Sequence, residues 1–429
     1  MNHLGRFGLA AACVLALAAL ASFDQGSSVK AAAGGPVEPA HGPYRVLAPI
    51  ESGNLLLFPV VRASSKSPGE TPFITLDEGI KSGDVEVTEA GKVQGLVRPR
   101  GHVPNSNVAP IYHDDRFRGY PEVPDNPSRG DEVNTLVLVN HSSKPLLLLA
   151  GEIVTGGKQD RVIAKDRIVP AGADPIDLGV FCIEPGRWTE SSATFGAAAK
   201  APSHGFMVQP TIREKAMVEK DQQQVWSSVH GAISQMEYAA NAPSASRPST
   251  GYDVGSGASS GVMYDRAATT SYAKAMQESD ISEKVDEAAA PVMKSREQVL
   301  AQLREEHAIG VVVAVRGEIV WADLFADTEL LSRYWTKLVR SYAAESLTPG
   351  EKHATASLAD AQHFLDAPSG GSETSEGEVG IYRYRELKTG RTETFVLESL
   401  LPGTGYDVHI SKLKLRGAEY PIKSPQVDY

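Results

Sequence analysis

Apolar residues recur along this chain with two periods, and the switches between them mark its elements. Leu146 to Leu149 is a continuous apolar run, the pattern of a strand covered on both faces. Ile176, Leu178, Val180 and Cys182 alternate along one strand face, which puts Glu184 next on that face before Pro185 ends the ladder. Leu55 to Phe58 and Thr135 to Val139 read as further strands. In Arg213 to Ala240 the period becomes helical, with Val225, Val229, Ile233 and Met236 on one stripe and Trp226 beside it. Ser295 to Glu306 suits a helix, Ile309 to Val315 and Glu318 to Asp323 a hairpin around Gly317, and Thr328 to Ala344 a helix whose apolar face is Leu331, Tyr334, Trp335, Leu338 and Tyr342. Thr75 as N-cap with Glu78 three residues on predicts a short capped helix. This order of strands, helix, linker, helix, hairpin and helix predicts an α+β fold with a β-rich central layer and packed helices.

The breaks in this pattern divide the chain. Residues 1–21 read as a signal peptide: Arg6 is the basic n-region, Leu9 to Leu20 the short apolar segment, and Ala19, Leu20, Ala21 the cleavage site. Residues 22–43 form a flexible leader, and Arg98 to Gly130 an irregular excursion rich in Pro, Gly, Asn and Asp. Residues 44–346 make the main domain, interrupted at about 241–290 by a low-complexity insertion whose Ser, Gly, Ala and Pro predict disorder. Residues 347–429 read as an appendage: a short helix over Ser357 to Ala367, a linker over Pro368 to Gly377, and a small β meander over Ile381 to Leu387, Thr392 to Leu400 and Tyr406 to Leu413.

Composition narrows the function classes. The 429 residues are 41% hydrophobic, enough for a sizeable core. The net charge is −11, and removal of residues 1–21 with Arg6 makes the mature chain one unit more acidic. An acidic surface without a basic aromatic stripe disfavours nucleic-acid partners. Of two cysteines, Cys13 lies in the signal segment, so Cys182 alone remains and stability must come from packing. The expected location is extracytoplasmic, periplasmic or secreted, with no stable membrane span after cleavage.

Charged residues concentrate between Pro145 and Trp188, where six acids meet five bases. Period two carries Glu184 to the rim of the apolar layer, and Glu152 follows Leu146, Leu148 and Ala150 in the same way unless Gly151 inserts a bulge. Lys158, Arg161 and Arg187 are placed to face these carboxylates, with Gln159 as an amide and Trp188 as an indole platform. Two accounts fit. In one the charges are a structural ion-pair network; in the other they form an anion or nucleotide-like site. Other chemistry fails on context. Gly257 to Gly261 matches G-x-S-x-G but sits in low-complexity sequence, and Gly156, Gly157, Lys158 lacks the remaining P-loop residues. Cys182 to Arg187 is one residue short of a phosphatase loop, and the eleven His residues show no ligand spacing, so neither metal nor cofactor is expected.

GEIVTGGKQDR, the IVPAG turn and CIEPGRW together resemble the ARG and Rhodanese-Phosphatase-superfamily-associated Protein domain family, ARG meaning ADP-ribosylglycohydrolase. Matches at Thr75 to Glu78, Gln223 to Trp226, Asp323 to Phe325, Trp335 and Tyr342 extend the resemblance from about Leu55 to Tyr342. It implies an association with NAD and ADP-ribose metabolism and supplies no catalytic residue. Glu152, Lys158, Gln159, Arg161, Glu184, Arg187 and Trp188 therefore stand as positions matching its motif. The expectation is an exported domain that binds or processes an anionic, ADP-ribose-like ligand: Arg161, Lys158 and Arg187 on the anion, Trp188 on a ring, Glu152 or Glu184 on sugar hydroxyls. The alternative is a non-enzymatic envelope or protein-interaction module whose charges are structural. Neither turnover nor a protein partner is specified by the sequence.

Overall fold

A computed structural model of the chain describes residues 42–63, 71–89, 135–185, 192, 194–196, 205–241, 269–294, 296–348, 355–368 and 371–415. The expected signal segment, nearly all of the expected leader, the 98–130 stretch and residues 242–268 lie outside this set.

The largest element is a nine-stranded antiparallel sheet. Its spatial order runs Tyr44–Val46, Leu55–Arg62, Ala308–Val315, Glu318–Phe325, Asp407–Lys414, Thr392–Ser399, Tyr382–Thr389 and Ser372–Glu378, with Ile50–Ser52 pairing to Leu55–Arg62. The apolar runs at its centre are buried on both faces. Leu55, Leu57, Val311 and Val313 join the main core under the helices, while Phe58, Val60, Val312 and Ala314 pack outward beneath Ala361 and Phe364 of the Leu358–Asp366 helix. Arg316 and Gly317, both with positive φ, close the predicted hairpin as a tight turn that matches strand twist.

Beside this sheet a six-stranded barrel closes through Ala173–Cys182, Thr135–Asn140, Val85–Glu89, Thr194–Gly196, Ile153–Gly156 and Arg161–Ile163. Ile176, Leu178 and Val180 fill it, as their alternation requires. A three-stranded sheet of Arg167–Val169, Leu146–Leu148 and Ile74–Thr75 adjoins it. Thr75 and Glu78 form the reciprocal capping box of the Leu76–Ser82 helix, which ends on a left-handed Gly83. The Thr328–Leu347 helix, capped by Asp327, buries Leu331, Tyr334, Trp335, Leu338 and Tyr342 completely. Among the described residues no helix is long and apolar enough to cross a membrane. The fold is α+β.

Four boundaries differ from expectation. Residues 347–429 are no separate appendage, because Asp407–Lys414 pairs with Glu318–Phe325 and the meander completes the main sheet. The expected linker contains a strand, Ser372–Glu378, which tolerates polar residues because it is an exposed edge. The last part of the expected insertion is ordered: Tyr272–Ala275 and Ser279–Lys294 are helices that bury Tyr272, Met276, Ile281, Val285, Ala289 and Val292. The expected Arg213–Ala240 helix is broken into Pro210–Glu214, a π-helical turn Lys215–Glu219, a left-handed Lys220 and the Gln222–Asn241 helix.

Candidate functional site

Two of the motif carboxylates sit inside the protein and point to different helices. Gly151 has φ 94, which interrupts the strand after Leu148 and turns Glu152 inward. There its Oε1 lies 2.6 Å from Lys337 Nζ on the Thr328–Leu347 helix, and its Oε2 accepts the Leu149 N–H at 2.7 Å. Burial raises the Glu152 pKa, against the lowering effect of Lys337. Lys337 also holds Asp77 at 2.6 Å, and although burial opposes its charge the two carboxylates raise its pKa.

Glu184 lies two residues past the end of the Ala173–Cys182 strand, where the alternation has stopped because Ile183 is buried as well, and it is 2% exposed rather than at a rim. It accepts the Asp160 N–H at 3.2 Å and pairs with Lys274 Nζ at 3.0 Å. Arg161 is buried with Nη1 donating to the Gln159 carbonyl at 2.6 Å and Nη2 at 3.8 Å from Glu89. Lys158 is half-buried, and its main-chain N–H donates to Glu89 Oε1. Gln159 is fully buried, and among the described residues neither its side-chain oxygen nor its nitrogen has a hydrogen-bond partner. Arg187 and Trp188 lie outside the described residues. Cys182 is buried, and burial pushes its thiol up to about 11, as for a packed small hydrophobe rather than a nucleophile.

A second group of buried polar residues continues from the first. Ala150 donates its N–H to Asp166 Oδ1 at 2.7 Å, and Asp166 Oδ2 meets His409 Nδ1 at 2.6 Å. His409 Nε2 is 3.3 Å from Asp323, which Arg213 grips with both Nη atoms at 2.8 and 3.0 Å. Ser411 and Tyr342 donate hydroxyls to the same carboxylate. Burial disfavours ionised Asp323, but Arg213 and His409 hold its carboxyl well below the usual range. Burial likewise opposes charge on His409, yet Asp166 and Asp323 raise its pKa to about 9, so the imidazole is protonated at neutral pH.

Asp77, Lys337 and Glu152 thus form one run of alternating charge and Asp166, His409, Asp323 and Arg213 a second, and the main-chain N–H groups of Leu149 and Ala150 join the two into a single ladder. Asp77, Asp323 and Tyr342 fell within the resemblance, but nothing in their spacing marked them as partners. Arg213 and His409 carried no signal. All ladder members except Asp77 are buried, so the ladder offers acid and base groups without an opening to substrate. A 510 Å³ surface cleft lies elsewhere, lined by Glu78, Asp84, His141, Lys144 and Arg333 and by none of the seven motif positions. Among the described residues no group of three or more His, Cys, Asp or Glu is arranged to hold a metal ion.

Comparison with known proteins adds one finding. A family model for the ARG and Rhodanese-Phosphatase-superfamily-associated Protein domain matches residues 43–413, and so takes in the strand that carries His409. No curated protein and no solved structure matches the chain.

Proposed function

The chain belongs to the ARG and Rhodanese-Phosphatase-superfamily-associated Protein domain family, and on that premise we propose that it acts outside the cytoplasm as a non-enzymatic interaction module whose central charges hold its layers together. One observation carries this reading: Glu152, Arg161 and Glu184 are each at most 2% exposed and each is engaged by the protein itself. An anion or sugar site needs such groups to converge on an open cleft, and a buried charge already matched inside the fold has nothing left to offer a ligand. Export rests on Arg6, the apolar Leu9 to Leu20 segment and the Ala19, Leu20, Ala21 site.

The second reading, an anionic ADP-ribose-like ligand at the motif, is favoured by Gln159. Its buried amide offers a donor and an acceptor that no described residue uses. Such an amide would read a ligand group with adjoining donor and acceptor, while Lys158 supplied the charge.

Thermal unfolding of the chain from residue 22 separates the two. ADP-ribose, NAD, sugar phosphates and uronic acids are each expected to leave the midpoint unchanged, whereas Arg161→Met lowers it without any ligand. Specific binding at about 100 times Kd would add roughly 2.7 kcal/mol. A shift of that size that disappears in Gln159→Leu would overturn the structural reading in favour of the ligand site.

A further inference from the structure

The β-structures of this chain end in different ways. The barrel closes on itself, and the three-stranded sheet ends in strands of at most three residues. The nine-stranded sheet has two ends. At Tyr44–Val46 the Leu358–Asp366 helix closes the edge: the Gln362 amide accepts the Val46 N–H at 2.8 Å and donates to the Tyr44 carbonyl at 3.0 Å, taking the place of another strand. At Ser372–Glu378 no described residue bonds to the open side.

This second edge is long and regular. All seven residues pair with Tyr382–Thr389 without a bulge, and the strand contains neither proline nor lysine, residues that commonly blunt an open edge. The Glu378 carbonyl accepts the Ile381 N–H of the hairpin turn, so Glu378 and alternate residues before it face the neighbouring strand. Glu373, Ser375 and Gly377 therefore direct their N–H and C=O groups to the open side. All three are exposed, and Val379 immediately beyond them is fully so. Of the strand's acids, Glu376 is matched by Lys165 at 2.8 Å and Glu378 by Arg167.

We propose that Ser372–Glu378 pairs antiparallel with the same strand of a second copy of this chain, about a two-fold axis at Ser375. This is the register in which the whole strand pairs with itself. Glu373 stands opposite Gly377, Thr374 opposite Glu376, Ser372 opposite Glu378, and Ser375 opposite its own counterpart, so no two like charges meet directly. Glu373, Ser375 and Gly377 supply about six main-chain hydrogen bonds, two at each of their three pairs. At each end Val379 borders the paired strands and gains cover. A strand from an unrelated protein would find Glu373 as the one charge to select it, whereas the copy meets the edge position by position. The interface is small, so the dimer is weak, with a dissociation constant in the micromolar range or above.

Sedimentation equilibrium of the chain from residue 22, at about 10 µM to about 1 mM, should show the mass rising from one chain toward two. Ser375→Pro removes an N–H that points outward, so it should keep the hairpin and the thermal midpoint of the dilute protein while abolishing association. Cysteines test the register in a glutathione redox buffer, where Cys182 is buried and does not compete. Ser375→Cys should cross-link two chains, since its Cα lies about 5.5 Å from its counterpart. Glu373→Cys, displaced from its counterpart by four residues along the strand, should give about tenfold less cross-linked dimer. A single-chain mass at every concentration, association that persists in a folded Ser375→Pro, or equal cross-linking by the two cysteine variants overturns the pairing. Should Ser375→Pro fail to fold, the cysteine variants decide.

Discussion

Lys337 and Glu152 stand 185 residues apart in the chain and form a 2.6 Å ion pair in which each side chain is 1% exposed. Asp77, also 2.6 Å from Lys337, places the lysine between two acids. Lys337→Met leaves Glu152 buried without its countercharge. The expected cost is about 3–5 kcal/mol in urea unfolding, with Lys337→Met combined with Glu152→Leu recovering much of it. A loss below about 1 kcal/mol would show that the pair contributes little to cohesion.

His409 predicts how stability depends on pH at the alkaline end. Its pKa rises on folding from 6.5 to about 9, so its contribution is complete below 6.5 and is lost as pH climbs through about 9. The loss is on the order of 3 kcal/mol. Comparing His409→Asn with the parent from pH 6 to 10 isolates this limb: the difference between the two curves should shrink as pH rises. Asp323 acts at the other end. Its depressed pKa stabilises the fold above 3.8, and that contribution is lost as pH falls through the lower folded value.

Gly151 is needed twice over. Its φ of 94 disfavours any side chain, and a Cβ there would lie 2.6 Å from Arg213 Cγ. Gly151→Ala should destabilise by about 2 kcal/mol or more and disturb the Arg213 grip on Asp323. The denaturation midpoint reads the first effect, and the pH at which acid unfolding begins reads the second.

Gln159→Leu should behave in the opposite sense. Removing a buried amide that has no partner saves its desolvation cost, so the unfolding midpoint should hold or rise by on the order of 1 kcal/mol. A loss of more than that would mean the amide is satisfied in solution.

How far the sequence revealed these features depends on how local their causes are. Ile176 to Cys182 was legible because a strand lining a barrel must alternate, and Thr75 with Glu78 because a capping box closes within four residues. The helix at Ser279–Lys294 was hidden by its Ala- and Ser-rich surroundings, although its own apolar positions are spaced for burial. Lys220 carries no mark of a left-handed break, since lysine is an ordinary helix former and the main-chain bond from its N–H to Lys215 O that closes the π-helical turn is not written in its side chain. The candidate site was half legible. Period two drew attention to Glu184, which is buried, but its Lys274 partner lies 90 residues away and Lys337 lies 185 from Glu152. Pairing at that distance is decided by how layers stack, and no spacing along the chain encodes it.

The position of Asp407–Lys414 inside the sheet has a bearing on biosynthesis. Glu318–Phe325 is translated about eighty residues before the strand that flanks it, and Asp323 is made before His409 and Ser411. Until the ribosome releases residues 407–414, a central strand keeps an unpaired edge and Arg213 with Asp323 lack two of their companions. The nine-stranded sheet cannot close in stages from its first strands: it waits for residues 407–414, and a chain stopped before residue 407 carries a sticky apolar edge into a crowded cell.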